Sequence, residues 1–240
     1  MRWVALVLVL ACACVGRPPV AILTHHSISQ SGDDFAVSPA KFAAELDALA
    51  RSGCRTISFH DWLEGKPLPP RAVILTFDDG YEDGYSTALP ELQARGMVGT
   101  FFVVPGWIGA DASHRVVRAQ DGVAARYLVW PEVEALAAAG MEIGSHGETH
   151  TRLPGLPDEK LREEVVRSRL ELEAHLHRPI EVFAYPFNAS RRDLRSVVRG
   201  AGYRAAVSGS VHGGADRYEL FRSGVYAKTT VEEVVREVAR

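Results

Sequence analysis

The sequence predicts an α/β fold in which buried parallel strands alternate with helices. Short apolar runs alternate along the chain with segments of helical periodicity. The clearest run, Ala72–Phe77, leads directly into Asp78, Asp79 and Gly80, as a buried strand does when it ends in a polar loop. The chain has 240 residues, of which 47% are hydrophobic, and this is enough to bury one large core. We therefore expect a single domain over residues 17–240.

The predicted elements follow one another in a regular order. Strands are expected at 20–26, 55–59, 72–77, 97–104, 141–145, 180–185, 205–208 and 221–226. Helices are expected at 38–53, 81–96, 131–140, 158–176, 191–199 and 230–238. The polar segment 106–126 has no clear periodicity, so we expect a long loop or a small insertion there. About seven strand–helix units account for the body of the chain.

The helix expected at 38–53 has the clearest terminal signals. Ser38 suits the N-cap position and Pro39 the first helical position. Gly53 suits the position just beyond the helix end, where a left-handed backbone is common. An apolar face at helical spacing is formed by Phe42, Leu46 and Leu49.

The charge balance gives no sign of a polyanionic partner. The formal net charge is −3, with 27 basic and 30 acidic residues. A nucleic-acid or anionic-membrane ligand requires a basic surface. We therefore expect no nucleic-acid partner.

The first 16 residues have the pattern of an export signal. Arg2 precedes an apolar run from Trp3 to Ala11, and small residues follow. The run is shorter than the roughly 20 apolar residues that span a bilayer. The alternative is an N-terminal tail or a first strand. An export signal would make the location extracytoplasmic: the periplasm, the cell surface or the medium.

The cysteines add a second feature to this segment. The residues around Cys12 resemble a bacterial lipoprotein box, so Cys12 or Cys14 could carry a lipid that attaches the protein to a membrane. Ala11 and Ala13 offer a different cleavage pattern. A mature chain that keeps only Cys54 can form neither an internal disulfide nor a cysteine metal cluster.

The carboxylates Asp78 and Asp79 are the first candidate for chemistry. Asp and Gly also favour ordinary turns, so these residues alone do not define a site. However, the carboxyl ends of parallel strands are where active sites of α/β folds collect. A second feature is needed to decide between the two interpretations.

That second feature is the pair His146 and His150. Four residues apart, two imidazoles can lie on the same side of a helical turn and point at one ion. A structural histidine pair is the alternative. The metalloprotease pattern H-E-x-x-H does not fit, because Glu148 stands in the middle of the spacing. One carboxylate and two imidazoles form a ligand set that leaves open positions on a catalytic Zn²⁺ or similar divalent ion. The second carboxylate is then free to act as a base.

Three segments carry a resemblance to a known family. Residues 76–80 (T-F-D-D-G), 145–150 (S-H-G-E-T-H) and 183–188 (F-A-Y-P-F-N) resemble the first three motifs of the polysaccharide deacetylase family, also called the NodB-homology or carbohydrate esterase 4 domain. The flanking sequence, from about residue 20 to 226, resembles the branch that contains poly-β-1,6-N-acetylglucosamine deacetylases. The resemblance implies a distorted (β/α)7 barrel related to the TIM barrel.

The resemblance also implies an activity and its residues. The activity is metal-dependent removal of N-acetyl groups from N-acetylhexosamine units of a polysaccharide. Separately from the resemblance, we expect the protein to be a monomer. Zinc is the first expectation for the metal, with cobalt, nickel or iron as alternatives. The implied metal ligands are Asp79, His146 and His150, and the implied general base is Asp78. The third motif implies that the backbone N–H of Phe187 binds the oxyanion, with Tyr185 and Pro186 beside the substrate.

The chain departs from the family pattern at several positions. Gly147 stands where the second motif usually has Ser or Thr. Ala184 stands where the third motif has the arginine that steadies the base, and Phe187 replaces a tyrosine. We expect the base to lack this arginine, and we interpret the F-A-Y-P sequence as a subtype rather than as inactivation.

The general acid of the implied site has no residue at its usual place in the chain. The late histidine motif of the family has no match near the C-terminus. In the resembling branch an N-terminal histidine takes its place, which makes His26 the candidate acid, followed by His25 and His212. Two other functions are compatible with the sequence: hydrolysis of another amide on the same scaffold, and non-catalytic carbohydrate binding.

Overall fold

The computed structural model describes residues 20–120, 123–209 and 216–239. The predicted export signal at 1–16, with Cys12 and Cys14, lies outside the described residues, as does His212. Within the described ranges, no helix is both long and apolar enough to cross a membrane.

The order of strands and helices agrees closely with the sequence prediction. The strands are β1 (Ala21–His25), β2 (Arg55–Thr56), β3 (Ala72–Phe77), β4 (Thr100–Val103), β5 (Val117–Gln120), β6 (Val123–Arg126), β7 (Glu142–Ser145), β8 (Val182–Ala184), β9 (Ala205–Ser208), β10 (Leu220–Phe221) and β11 (Ser223–Gly224). The helices are α1 (Pro39–Arg51), α2 (Phe59–Leu63), α3 (Leu89–Ala94), α4 (Trp130–Ala138), α5 (Asp158–Arg162), α6 (Ser168–Leu176), α7 (Leu194–Gly200) and α8 (Val231–Val238). Two π-helical turns, Gly84–Ala88 and Glu163–Arg167, lead into α3 and α6.

The large sheet forms a nearly closed parallel barrel. Its strands follow the order β10-β9-β8-β7-β4-β3-β1-β11, and β2 pairs with β3 outside this path. The two ends of the path, β10 and β11, are separated in sequence by Arg222 alone. One segment therefore pairs with β9 through its first half and with β1 through its second half. Counted as one position, it gives a ring of seven strand positions, and the predicted distorted barrel is confirmed.

Alternation along the strands divides the apolar residues between two cores. The larger core lies between the strands and their helices and includes Leu23, Leu75 and Phe101. The smaller core fills the barrel interior and includes Ile22, Ile74, Phe102, Val182, Ala184, Ala205 and Val207. Because side chains alternate with a period of two, residues two or four positions beyond these also face the interior at the carboxyl end of the barrel.

Local signals explain most of the element boundaries, and one prediction was wrong. The side chain of Ser38 caps α1 by accepting a hydrogen bond from the N–H of Lys41. By contrast, Phe59 was expected in a strand but begins α2. Ser58 and Asp61 form a reciprocal capping box at this point, which favours a helix start over strand continuation.

The segment 106–126 contains a small insertion with its own structure. Two short 3₁₀ turns, Pro105–Trp107 and Ala112–His114, precede an antiparallel hairpin formed by β5 and β6. The hairpin returns to the barrel through a bridge between Tyr81 and Tyr127. It therefore lies beside the loop that follows β3.

Candidate active site

The loop after β3 brings Asp78 and Asp79 to the carboxyl end of the barrel, where both side chains are buried. Asp79 has a φ of +71° and Gly80 a φ of +73°, so the chain turns sharply there. A left-handed backbone at a non-glycine residue costs about 1–3 kcal/mol and is typical of functional sites. The turn directs the two adjacent carboxylates to different partners.

Asp79, His146 and His150 form a group that fits a metal ion. One ligand atom from each lies within 4.8 Å of the other two. The Oδ1 atom of Asp79 is 3.4 Å from His146 Nε2 and 3.2 Å from His150 Nε2. His146 Nδ1 is 2.8 Å from the carbonyl oxygen of Ala184, so Nδ1 donates a hydrogen bond to that oxygen and Nε2 is the nitrogen that faces the group. An oxygen and two imidazole nitrogens suit zinc and similar divalent ions.

The two histidines converge, but not through the predicted helical turn. His146 directly follows β7, and residues 146–151 contain no helix. The loop reverses instead through left-handed residues, with φ of +79° at Gly147 and +59° at His150. The spacing predicted the right pair, whereas the local conformation was wrong.

Glu164 holds this loop in place. Its buried carboxylate accepts hydrogen bonds from the N–H and the hydroxyl of Thr149, at 3.0 and 2.5 Å, and its carbonyl oxygen accepts from the N–H of Glu148 at 3.1 Å. A Cβ at position 147 would lie 3.2 Å from Glu164 Oε2, and the residue carrying it would have to adopt a left-handed backbone. Glycine therefore suits position 147, and Glu164 anchors the residue before His150.

Arg222 is the functional residue that sequence reasoning missed. Its Nη1 and Nη2 donate to the two carboxylate oxygens of Asp78 at 2.7 and 2.5 Å, and the pair is almost completely buried. Ala184 does lack the family arginine, but the expectation that Asp78 lacks an arginine partner was wrong. Position 222 lies two residues after Leu220 in the barrel-closing segment, so the two side chains face the same side. Leu220 packs in the inner core. An arginine at an inward-facing strand position was the available signal.

The charges around the two aspartates favour their ionised forms. Burial by itself would raise the pKa of Asp78, but the Arg222 guanidinium and the neighbouring His146 outweigh it and hold this pKa below its usual value. Burial likewise opposes ionisation of Asp79, yet hydrogen bonds from His146 and His150 hold its pKa well below its usual value. Asp78 is thus available as a proton acceptor at neutral pH.

The structure separates the predicted acid candidates His26 and His25. His26 follows β1 at the mouth of the barrel and lines a cavity together with Arg222. Burial lowers the pKa of His26, while the nearby carboxylates Asp79 and Asp78 partly oppose that shift. His25 instead lies outside the barrel wall, stacked on Phe77 and 3.1 Å from a carboxylate oxygen of Glu45.

Of the three predicted residues in the third motif, Phe187 and Pro186 lie at the candidate site, whereas Tyr185 lies in the core. Phe187 has a φ of +58°, and its side chain is 59% exposed beside His150. Its backbone N–H has no hydrogen-bond partner among the described residues. Pro186 lies against the His146–His150 loop, next to Gly147. Tyr185 is fully buried in the outer core and donates to the carbonyl of Tyr218, so the structure does not bring it to the site.

Two curated relatives are similar to this chain in sequence. A Bacillus subtilis (strain 168) protein named as a polysaccharide deacetylase, YxkH, is 28% identical over 191 residues, which are 78% of this chain and 63% of that protein. The poly-β-1,6-N-acetyl-D-glucosamine N-deacetylase of Escherichia coli (strain K12) is 30% identical over 135 residues, which are 53% of this chain and 20% of that protein. The chain thus spans less than two thirds of the length of either relative.

Known structures share the fold. The structure of IcaB from Ammonifex degensii superposes with a TM-score of 0.77 at 24% identity, covering 92% of this chain and 97% of that chain. The family model described as polysaccharide deacetylase matches residues 65–206, more than half of the chain. This range includes both aspartates and both histidines of the candidate site. The chain therefore belongs to the polysaccharide deacetylase family.

Proposed function

We propose that this protein is a metal-dependent hydrolase that removes N-acetyl groups from N-acetylhexosamine units of a polysaccharide. The observation that carries the proposal is the Asp79–His146–His150 group with Asp78 beside it, 3.6 Å from His146 Nε2 and paired with Arg222. The polymer class is supported by the 30% identity to the E. coli poly-β-1,6-N-acetyl-D-glucosamine N-deacetylase.

The residues can divide the reaction among them. Asp79, His146 and His150 would hold a divalent ion, which when bound would supply Lewis acidity that lowers the pKa of a bound water and polarises an amide carbonyl. Asp78 accepts a proton from the attacking water as a new C–O bond forms. The backbone N–H of Phe187 donates to the oxyanion. His26, in its protonated form, then gives a proton to the sugar nitrogen as the C–N bond breaks, and acetate and a sugar amine leave. The proton that Asp78 took from water returns to His26 and restores both residues.

The location of the substrate follows from the same proposal. An N-acetylhexosamine polymer is met outside the cytoplasm, which agrees with the export signal proposed at residues 1–16. A lipid on Cys12 or Cys14 would keep the enzyme at a membrane. We propose that the enzyme acts outside the cytoplasm as a monomer.

Acetate release together with metal content is the direct test. We expect residues 17–240 to bind about one divalent ion per chain, since the described part of the chain contains one set of three ligand residues. The same sample should release acetate from oligomers of N-acetylglucosamine. The measurement screens β-1,6-linked, chitin and peptidoglycan oligomers, and it includes metal analysis of the same preparation.

The His146→Ala variant is the control for the metal. It should lose metal affinity and activity together, because it removes one of three protein ligands. An active wild-type enzyme without bound metal would contradict the mechanism. Bound oligomer without acetate release would favour a carbohydrate-binding protein, and release only from small amides would favour the other amide hydrolase.

Replacing His26 with alanine should affect amides and activated esters differently. An amine leaves only with a proton, so we expect acetate release from N-acetylglucosamine oligomers to fall by about 10²- to 10⁴-fold. p-Nitrophenyl acetate has a leaving group that needs no proton, and its hydrolysis should change little. Asp78→Asn is the matched control, because it should lose both activities. An equal loss on both substrates in His26→Ala would exclude His26 as the acid.

A further inference from the structure

Two cavities lie along the mouth of the barrel on the side of His26. The first has a volume of about 450 Å³ and lies between the loops after β1 and β3 and the hairpin strand β6. The second, of about 570 Å³, lies at the barrel seam and is lined by His26, Arg222 and Asn188. Both volumes lie in the range of small-molecule sites.

An exposed aromatic pair stands between the two cavities. Phe35 lines the first cavity and Tyr226 the second. Their ring centroids are 5.7 Å apart, and the Phe35 ring is 5.1 Å from the ring of His26. Each side chain is 39% exposed, although most large aromatic side chains of a folded protein are largely covered. The aromatic pair thus adjoins the candidate acid and is open to solvent.

The backbone holds Tyr226 in this position. A Cβ on Gly224 would lie only 2.6 Å or less from three atoms of the Tyr226 ring and hydroxyl. The lack of a side chain at position 224 therefore makes room for the Tyr226 ring. The carbonyl oxygen of Tyr226 also accepts a hydrogen bond from Lys41 Nζ at 2.8 Å.

Phe35 is held from its own loop. Its N–H donates to Asp33 Oδ1 at 2.8 Å, and the neighbouring Asp34 accepts a hydrogen bond from the N–H of Ala227 at 2.9 Å. The loop after β1 and the loop after β11 are thus joined by a hydrogen bond, which fixes the backbone that carries the two rings. Preorganised groups of this kind lose little entropy on binding.

We infer that Phe35 and Tyr226 bind the hexosamine units that neighbour the unit being deacetylated. This inference rests on the proposed function and deepens it. The C–H face of a pyranose ring is apolar and matches an exposed aromatic ring, while its hydroxyl groups match the polar lining of the adjoining cavities. Because the aromatic pair has a cavity on each side, the polymer can continue past it. The enzyme therefore acts on internal units and prefers longer chains.

The test compares chain lengths. Wild-type kcat/KM should rise from the disaccharide to the hexasaccharide of N-acetylglucosamine. Phe35→Ala and Tyr226→Ala should each lower kcat/KM for the hexasaccharide by about 2- to 13-fold, the size expected for losing one aromatic contact. The loss should appear in KM, and the disaccharide should change little. Leu170→Ala is the control, because Leu170 on α6 is also exposed, at 57%, and lies outside both cavities.

Other results would overturn the inference. A loss that is equal for the disaccharide and the hexasaccharide, or that falls on kcat, would mean that Phe35 only positions His26. Equal behaviour of Phe35→Ala and Leu170→Ala would mean that the ring binds nothing. Phe35→Leu, which keeps an apolar side chain without a ring, should show the same length-dependent loss if stacking is the cause.

A binding measurement separates this inference from the proposed function. Calorimetry of the wild-type protein with β-1,6-linked and β-1,4-linked N-acetylglucosamine hexasaccharides reports affinity directly. If the wild type releases no acetate, the deacetylase proposal fails. A weaker affinity in Phe35→Ala would still support the aromatic site, and an unchanged affinity would exclude it.

Discussion

The Asp78→Asn variant is expected to keep its metal and to lose acetate release by about 10²- to 10⁴-fold, the range for a general base. Asparagine has nearly the same shape but does not accept a proton from water. Asp79, His146 and His150 keep their positions, so metal content per chain should match the wild type. The measurement pairs metal analysis with single-turnover acetate release from the best oligomer of the screen.

An exposed carboxylate provides the control for Asp78→Asn. Asp193 pairs with Arg191 at 2.6 Å, and both side chains are exposed at the surface, so Asp193→Asn should leave kcat unchanged. Acetate release by Asp78→Asn at the wild-type rate would exclude Asp78 as the base. Loss of metal along with activity would mean instead that Asp78 is itself a ligand.

The Arg222→Met variant should have the largest effect on stability. Arg222 and Asp78 are 1% and 3% exposed, so removing the cation leaves a buried carboxylate without its partner. Breaking a buried ion pair in this way costs about 3–5 kcal/mol. We expect the free energy of unfolding, measured by urea denaturation with the metal removed, to fall by this amount. Turnover should fall as well, because the carboxylate loses its two fixed donors.

A double variant separates loss of charge pairing from loss of packing. In Arg222→Met/Asp78→Asn no buried carboxylate remains, so much of the lost stability should return. Asn188 also accepts a hydrogen bond from Arg222, at 3.2 Å, and this contact is lost in both variants. If the double variant is no more stable than Arg222→Met, the charge pair is not the source of the effect.

The sequence was sufficient for those parts of the molecule that depend on local patterns. Apolar periodicity and helix caps predicted the order of strands and helices, and the D-D-G and H-x-x-x-H spacings identified the residues that meet at the barrel mouth. Phe59 shows the limit of such patterns, because Ser58 and Asp61 start a helix within an apolar run. The apolar run and the capping residues are both local signals, and the capping residues determined the structure at this point.

Contacts between residues far apart in sequence could not be predicted from such local patterns. Arg222 lies 144 residues beyond Asp78 in sequence, and only the closure of the barrel brings the two together. Glu164 lies 15 residues from Thr149 and acts through a helix that packs beside the histidine loop. The helical turn assumed for His146 and His150 was wrong because this carboxylate, together with Gly147, stabilises a left-handed path instead.

The closing segment of the barrel links folding to activity. Arg222 lies between β10 and β11, the two short strands that close the ring. When these strands pair with β9 and β1, the guanidinium of Arg222 is brought to Asp78. Before that pairing forms, Asp78, the proposed base, has no counter-charge. A chain still being synthesised would therefore be inert toward its substrate, and catalytic competence would report that the barrel has closed.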